Sequence, residues 1–92
     1  MNYEELKVKK PLRKGQELGE QDQYIVVANE KEEVYGLTPA IFYIWQMCDG
    51  NRTVEDIVEH VSKEAEIEVS KLQEPIATII TQLYEAELVS LD

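Results

Sequence analysis

The sequence is poor in the side chains from which most active sites and metal sites are built. Its 92 residues include one cysteine, Cys48, and one histidine, His60. A single cysteine excludes an internal disulfide, and one cysteine with one histidine is too few for a structural zinc site. The four glycines are isolated, so there is no glycine-rich phosphate loop. We therefore predict that the protein is not an enzyme and uses no cofactor.

Basic side chains are also scarce, and their distribution is uneven. Residues 1–23 contain five Lys or Arg and five Asp or Glu, whereas residues 24–92 contain four basic and fourteen acidic residues. The second region therefore carries the whole formal net charge of −10. An acidic protein repels phosphate backbones, so this composition argues against a nucleic-acid partner.

Long hydrophobic runs are missing as well. No apolar stretch approaches the ~20 residues that are needed to cross a bilayer. The first fifteen residues contain no apolar core of a signal peptide. We predict a cytoplasmic protein without membrane contact. A hydrophobic content of 43% is enough for a folded core, and the length predicts a single domain over residues 1–92.

The first third of the chain has the pattern of strands and turns. Residues 6–9 alternate apolar and charged side chains, which predicts a short strand, and the polar residues 13–23 predict a loop. Residues 24–28 are rich in β-branched side chains and predict a second strand. The polar residues 29–32 predict a turn, and residues 33–37 predict the returning strand of a hairpin.

The rest of the chain has the pattern of three helices. Thr38 and Pro39 predict the start of the first, because threonine caps free N–H groups and proline fits the first helical position. Gly50 predicts a left-handed residue at its end. Thr53 and, three residues later, Asp56 predict a capping box at the start of the second helix.

The third helix combines a broad apolar face with a proline. Ser70 is a candidate cap, and Pro75 predicts a regular start close to residue 74, because proline is tolerated in the first turn of a helix. Residues 88–91 predict a short extended tail. The order of elements predicts an α+β domain, a small winged helix-turn-helix-like unit with a three-stranded antiparallel sheet followed by three helices.

Two segments carry a resemblance to a known family. Residues 34–39 read VYGLTP, a short strand entering a helix, and residues 44–58 read IWQMCDGNRTVEDIV, with a Cys-Asp-Gly stop followed by Thr-Val-x-x-Ile-Val. These segments resemble the PqqD family, and the similarity covers residues 24–91. The strand before the first helix often carries Leu-Asn in the family, where this chain has Gly36-Leu37-Thr38, and Thr38 can still provide a cap. Four residues fit the family's final helix and tail: Ile79, Leu83, Leu88 and Val89.

The resemblance implies a RiPP recognition element, which binds the leader of a ribosomally made precursor peptide. The leader would add as a strand to the edge of the third strand, beside the third helix, and be presented to a modifying enzyme such as a radical SAM protein. Ile80 and Tyr84 have the alternative role of completing the core. The residues predicted to bind the peptide are Glu33, Val34, Tyr35, Gly36, Leu37, Gln73, Ala77, Ile80 and Tyr84.

Two other functions fit the same elements. A protein-docking module of a larger complex would use exposed apolar side chains such as Phe42, Tyr43 and Tyr84. A winged-helix DNA-binding protein would need basic residues on its recognition helix. The third helix offers Lys71 and the second Lys63, so this function is the less favoured of the two.

Overall fold

The computed structural model describes residues 1–91, in which there are four helices and five strands. The α+β class and the three-stranded antiparallel sheet are confirmed, whereas the three predicted helices are four. The winged helix-turn-helix likeness stays a prediction. The elements in chain order are α1 (Tyr3–Leu6), β1 (Leu12–Arg13), β2 (Gln16–Gln21), β3 (Tyr24–Ala28), β4 (Val34–Leu37), α2 (Pro39–Gln46), α3 (Val54–Ala65), α4 (Val69–Glu85) and β5 (Val89–Ser90).

The main sheet has the strand order β2–β3–β4, with both pairs antiparallel. The predicted strands over residues 24–28 and 33–37 are confirmed as β3 and β4. The loop predicted over residues 13–23 is wrong, because most of it forms β2. Nearly all side chains of β2 are exposed, so the strand is held by backbone bonds to β3 and has no apolar alternation to reveal it.

The strand predicted over residues 6–9 is also wrong. The chain instead forms α1, a single helical turn whose Tyr3 and Leu6 are buried. A capping box stabilises the turn: the N–H of Glu5 donates to Oδ1 of Asn2, and the N–H of Asn2 donates to Oε1 of Glu5, both at 2.9 Å. Two apolar residues three positions apart fit one helical face, and α1 packs against α4.

A second, two-stranded sheet joins the ends of the chain. β1 pairs with β5, with Leu12 opposite Ser90 and Arg13 opposite Val89. The extended tail predicted over residues 88–91 therefore contains a real strand. The preceding segment is also held by backbone bonds, since the N–H of Val54 donates to the carbonyl of Lys9 at 3.0 Å. The N-terminal segment thus closes over the starts of α3 and β5.

The predicted caps of α2 and α3 are confirmed. Oγ1 of Thr38 accepts from the N–H of Ile41 at 3.3 Å, and Thr53 with Asp56 forms the expected capping box. Helix α2 ends at Gln46, earlier than predicted, because the chain leaves the helix to bond with the β1 segment. Gly50 has the predicted left-handed backbone, with φ of 80°, but it lies in the loop after the helix.

Helix α4 differs from its prediction at its start. It begins at Val69, so Ser70 lies inside the helix and does not cap it, and the N-cap residue Glu68 makes no side-chain bond. Pro75 lies well inside the helix and not in its first turn. Pro75 has no N–H to donate to the carbonyl of Lys71, and both residues are exposed.

The core lies where α2, α3 and α4 meet the inner face of the sheet. Nε1 of Trp45 donates to the carbonyl of Leu88 at 2.8 Å, which ties α2 to the segment after α4. Cys48 is buried in this core, and burial raises the pKa of its thiol to about 12. Within residues 1–91, no helix is both long and apolar enough to cross a membrane.

Candidate functional site

One side of β4 has no strand partner within residues 1–91, because β3 covers only its other side. At the turn between the two strands, the N–H of Asn29 donates to the carbonyl of Glu33 at 3.0 Å. Hydrogen-bonded pairs alternate with non-bonded pairs along an antiparallel ladder, so the next bonded pair is Val27 with Tyr35. The backbone of Tyr35 therefore faces β3, and its neighbours in β4 face outwards.

Val34 and Gly36 are those neighbours, and they direct their N–H and C=O groups away from the sheet. The side chain of Val34 is 60% exposed. A Cβ atom on Gly36 would lie 3.3 Å from Cβ of Tyr24, which shows that the tyrosine packs closely over the glycine. The outer edge of β4 thus offers two N–H donors and two C=O acceptors without a charged side chain between them.

An apolar groove of about 260 Å³ lies between β4 and α4. Because the free edge of β4 borders this groove, backbone groups and an apolar surface are available at the same place. This combination is what the addition of a peptide strand requires. The groove is lined by Tyr35, Gly36, Leu37, Ile41, Ile79, Gln82, Leu83, Ala86 and Leu88.

The outer face of the sheet has a shallower hollow of about 310 Å³ next to the same edge. Tyr24, Val26 and Val34 line it together with the polar turn between β2 and β3. Successive side chains of a strand point to opposite faces. A strand added to β4 would therefore place alternate side chains in the groove and in this hollow.

The structure brings together the predicted residues of β4 but not those of α4. Val34, Tyr35, Gly36 and Leu37 form the edge strand, and Glu33 precedes it. None of the four predicted helix residues lines the groove. The helical wall consists of Ile79, Gln82, Leu83 and Ala86, which lie on the opposite side of the apolar stripe.

The predicted helix side is covered by other parts of the chain. Ala77 and Ile80 are 1% and 0% exposed, which places them in the core. Gln73 lies beside Tyr3 of α1. Tyr84 is 46% exposed but borders hollows formed with the N-terminal and C-terminal segments. The periodicity of the helix defines an apolar stripe, but it does not determine which flank of the stripe a distant segment such as α1 will cover.

The end of the groove near the β3–β4 turn is rich in charge. Nζ of Lys31 lies 2.9 Å from Oε2 of Glu87, and this ion pair joins the turn to the segment after α4. The hydrogen bond between the two side chains raises the pKa of Lys31 and lowers that of Glu87. The groove is thus apolar along its length and charged at one end.

The other chemically active side chains lie away from this groove. Nε2 of His60 is 2.9 Å from the hydroxyl of Tyr43, on the surface between α3 and α2. Sγ of Cys48 donates to the carbonyl of Ile44 at 3.3 Å inside the core. Among residues 1–91, no group of three or more His, Cys, Asp or Glu side chains is arranged to hold a metal ion.

A comparison with protein families identifies the family to which this chain is related. The family described as coenzyme PQQ synthesis protein D (PqqD) matches residues 23–89. The chain belongs to the PqqD family. The predicted resemblance is therefore confirmed, and the matched region contains both walls of the groove, β4 and α4. A search of curated proteins and a search of solved structures each found no significant match.

PqqD proteins form a family of non-catalytic accessory proteins in PQQ biosynthesis, which bind a precursor peptide and partner enzymes. The PqqD match leaves out α1, β1 and β2, the elements whose structures differ most from their sequence prediction. The groove between β4 and α4 therefore lies within the region that defines the family match.

Proposed function

We propose that this PqqD family protein binds an extended segment of a precursor peptide as a fourth strand on the outer edge of β4. The observation that carries the proposal is the coincidence of two features. The free backbone groups of Val34 and Gly36 lie along an apolar groove whose far wall is α4. A free edge provides bonds of fixed geometry, and the groove selects apolar side chains.

The magnitudes indicate which of the two features dominates affinity. The edge offers about four backbone bonds, each worth a net contribution of roughly 1 kcal/mol. Micromolar binding requires about 8 kcal/mol in addition to the cost of ordering the peptide. Burial of apolar side chains against Ile79, Leu83 and Leu37 has to supply the difference. We therefore expect a leader with apolar residues at alternate positions.

The bound peptide would be held for a modifying enzyme, and the family resemblance implies a radical SAM protein as that enzyme. The chain would act as a non-catalytic peptide chaperone in the cytoplasm. Its buried Cys48 thiol, whose pKa is raised to about 12, supports a role without a nucleophile. The acidic surface supports a partner other than nucleic acid.

A docking module is the second candidate function, and the exposure of Tyr84 favours it. This tyrosine separates two surface hollows on the side of α4 that faces away from the groove. Exposed aromatic side chains of this kind are enriched at protein interfaces. A partner enzyme that binds there would leave the groove open.

An amide chemical-shift titration tests the proposal. The probe is the synthetic leader of any short peptide encoded beside this gene, added to the ¹⁵N-labelled protein. We expect shifts over residues 33–37 and at Ile79, Gln82 and Ala86. Shifts centred on Tyr84 and Leu91 would favour the docking module. A folded spectrum that does not respond to the leader would contradict peptide binding by this edge.

A further inference from the structure

Asn29 is the one polar residue that is almost completely buried in the part of the chain that the structure describes. It begins the β3–β4 turn, and 4% of its surface is exposed. A buried amide destabilises a protein unless its donors and acceptors are bonded. Within residues 1–91, no buried side-chain polar atom lacks a partner. The polar side-chain atoms of Asn29 are therefore hydrogen-bonded, and the partners of these bonds indicate the role of the residue.

The two ends of the Asn29 amide bond to different parts of the fold. Oδ1 accepts from the N–H groups of Lys31 and Glu33, both at 3.0 Å, and so shapes the turn. Nδ2 donates to Oε1 of Glu33 and to the carbonyl of Ala86, both at 2.8 Å. The bond to Ala86 thus reaches from the hairpin to the end of α4.

That bond connects the two walls of the groove. Ala86 is the C-cap residue of α4 and lines the groove, while Asn29 leads through the turn directly into β4. The last carbonyls of a helix have no partner within the helix, and Asn29 supplies one. The ion pair of Lys31 and Glu87 joins the same two parts but is exposed, so water can replace it more easily.

We propose that Asn29 is a positioning residue for peptide binding, which holds β4 and α4 at the spacing that admits one added strand. This inference rests on the proposed function. An added strand lies about 4.8 Å from β4, and its inward side chains must also contact α4. A change of about 1 Å in the spacing of the walls would open voids or force overlaps along these contacts.

The substitution Asn29→Asp separates the two roles of the amide. The variant keeps an oxygen for the N–H groups of the turn, but it places a carboxylate oxygen against the carbonyl of Ala86 and the carboxylate of Glu33. We expect the Kd for the synthetic leader to rise about 10-fold at about pH 8, because the variant has to restore the spacing of the walls when the peptide binds.

Lower pH should restore the bond in the variant. Burial and the adjacent carboxylate of Glu33 should raise the pKa of the carboxyl group that Asn29→Asp introduces, so that it becomes protonated as the pH falls towards about 5. The protonated group can donate to the carbonyl of Ala86 again, and the ratio of variant to wild-type Kd should fall to about 2. The charged groups around this position are Glu30, Lys31, Glu33, Lys14 and Glu87. They are present in both proteins, so the ratio reports the substituted side chain.

Thr53→Ala is the matched control for a purely structural effect. It removes the N-cap of α3, which lies away from the groove, and lowers stability without touching either wall. We expect its Kd to equal that of the wild type at both pH values. Equal binding by Asn29→Asp and wild type, or a ratio that does not change with pH, would overturn the positioning role.

The unliganded proteins distinguish failure of this inference from failure of the proposed function. If the wild type does not bind the leader, the proposed function fails, and amide shifts of the free variant decide the role of Asn29. Shifts at Ala86, Leu88 and along β4 that reverse at low pH would support it. Shifts confined to Lys31 and Glu33 would contradict it.

Discussion

The two edges of the main sheet differ in what lies beside them. The edge of β4 borders an apolar groove closed by α4, whereas the side chains of β2 at the other edge are nearly all exposed to solvent. Both strands pair with β3 on one side only within residues 1–91. A free edge alone therefore does not make a peptide-binding site. The difference lies in the apolar wall that accompanies one edge.

The β2 edge also carries features that discourage pairing. Tyr24 and Val26 of β3 bond to Gln21 and Gly19, so Glu20 directs its backbone outwards. The register shifts between Glu17 and Gly19, which marks a bulge. Charged side chains and bulges are common means of protecting an edge from other chains. Between Val34 and Leu37, the β4 edge has neither a charged side chain nor a bulge.

The largest effect should follow from a charge placed on the groove wall. Ile79→Asp would bring a carboxylate against the apolar side chains of the bound leader, and desolvation of that charge costs several kcal/mol. We expect the Kd for the leader, measured by calorimetry, to rise at least about 30-fold. Thr78→Asp adds the same charge at the exposed neighbouring position. Similar Kd values for the two variants would show that the groove is not the binding surface.

A smaller effect should follow from the loss of one donor at the edge. Val34→Pro removes an outward N–H at the first residue of β4, where proline is tolerated, and leaves the bonds to β3 intact. We expect the Kd to rise about 10-fold, from the lost bond and the bulk of the ring. Glu20→Pro makes the equivalent change on β2 and should leave the Kd unchanged. Weaker binding by Glu20→Pro would point to the other edge.

The sequence predicted the elements that carry their own local signals. The caps at Thr38 and Thr53 and the β-branched run of β3 depend on neighbours in the chain, so α2, α3 and the hairpin were predicted correctly. β2 was missed because an exposed edge strand needs no apolar alternation. Helix α1 was missed because its capping box, at Asn2 and Glu5, lies before a segment that also alternates.

The predicted residues of β4 lie along one wall of the groove, whereas the predicted residues of α4 lie outside its other wall, and this difference has a physical reason. Residues of β4 follow directly from the hairpin, whereas the accessible side of α4 depends on what packs against it. Helix α1 occupies the flank beside Gln73, and this leaves Ile79 and Gln82 to face β4. Which side of α4 is covered depends on tertiary packing, and the spacing of apolar residues along α4 does not predict it.

Removal of charge from β2 should make the two edges more alike. The double substitution Glu17→Val and Glu20→Val removes the charged side chains from β2, so that this edge can pair more readily with the same strand of another molecule. We expect weak self-association with a Kd of about 100 µM, or roughly 5.5 kcal/mol, in sedimentation experiments. Glu59→Val with Glu64→Val removes the same charge from the exposed face of α3. Equal association of the two double variants would indicate a general effect of lowered charge.

The smallest effect concerns the exposed ion pair of Lys31 and Glu87, which joins the β3–β4 turn to the segment after α4. The pKa of Glu87 is lowered, chiefly by its hydrogen bond with Lys31. A carboxylate with a lowered folded-state pKa stabilises the fold above its unfolded pKa of about 4.3, and this stabilisation is lost as pH falls through the folded value. The Tm of the wild type should therefore decrease slightly more than that of Glu87→Gln between about pH 6 and about pH 3.

Salt should reduce that difference, because both side chains are exposed. Glu85→Gln removes a nearby charge that has no ion-pair partner within residues 1–91, so its Tm should follow the wild type through the same pH range. The Kd of Glu87→Gln for the leader should stay within about twofold of the wild type, since this variant retains the part-buried bond from Asn29 to Ala86. A larger loss of affinity in Glu87→Gln than in Asn29→Asp would mean that the exposed pair, and not the buried amide, maintains the difference between the two edges.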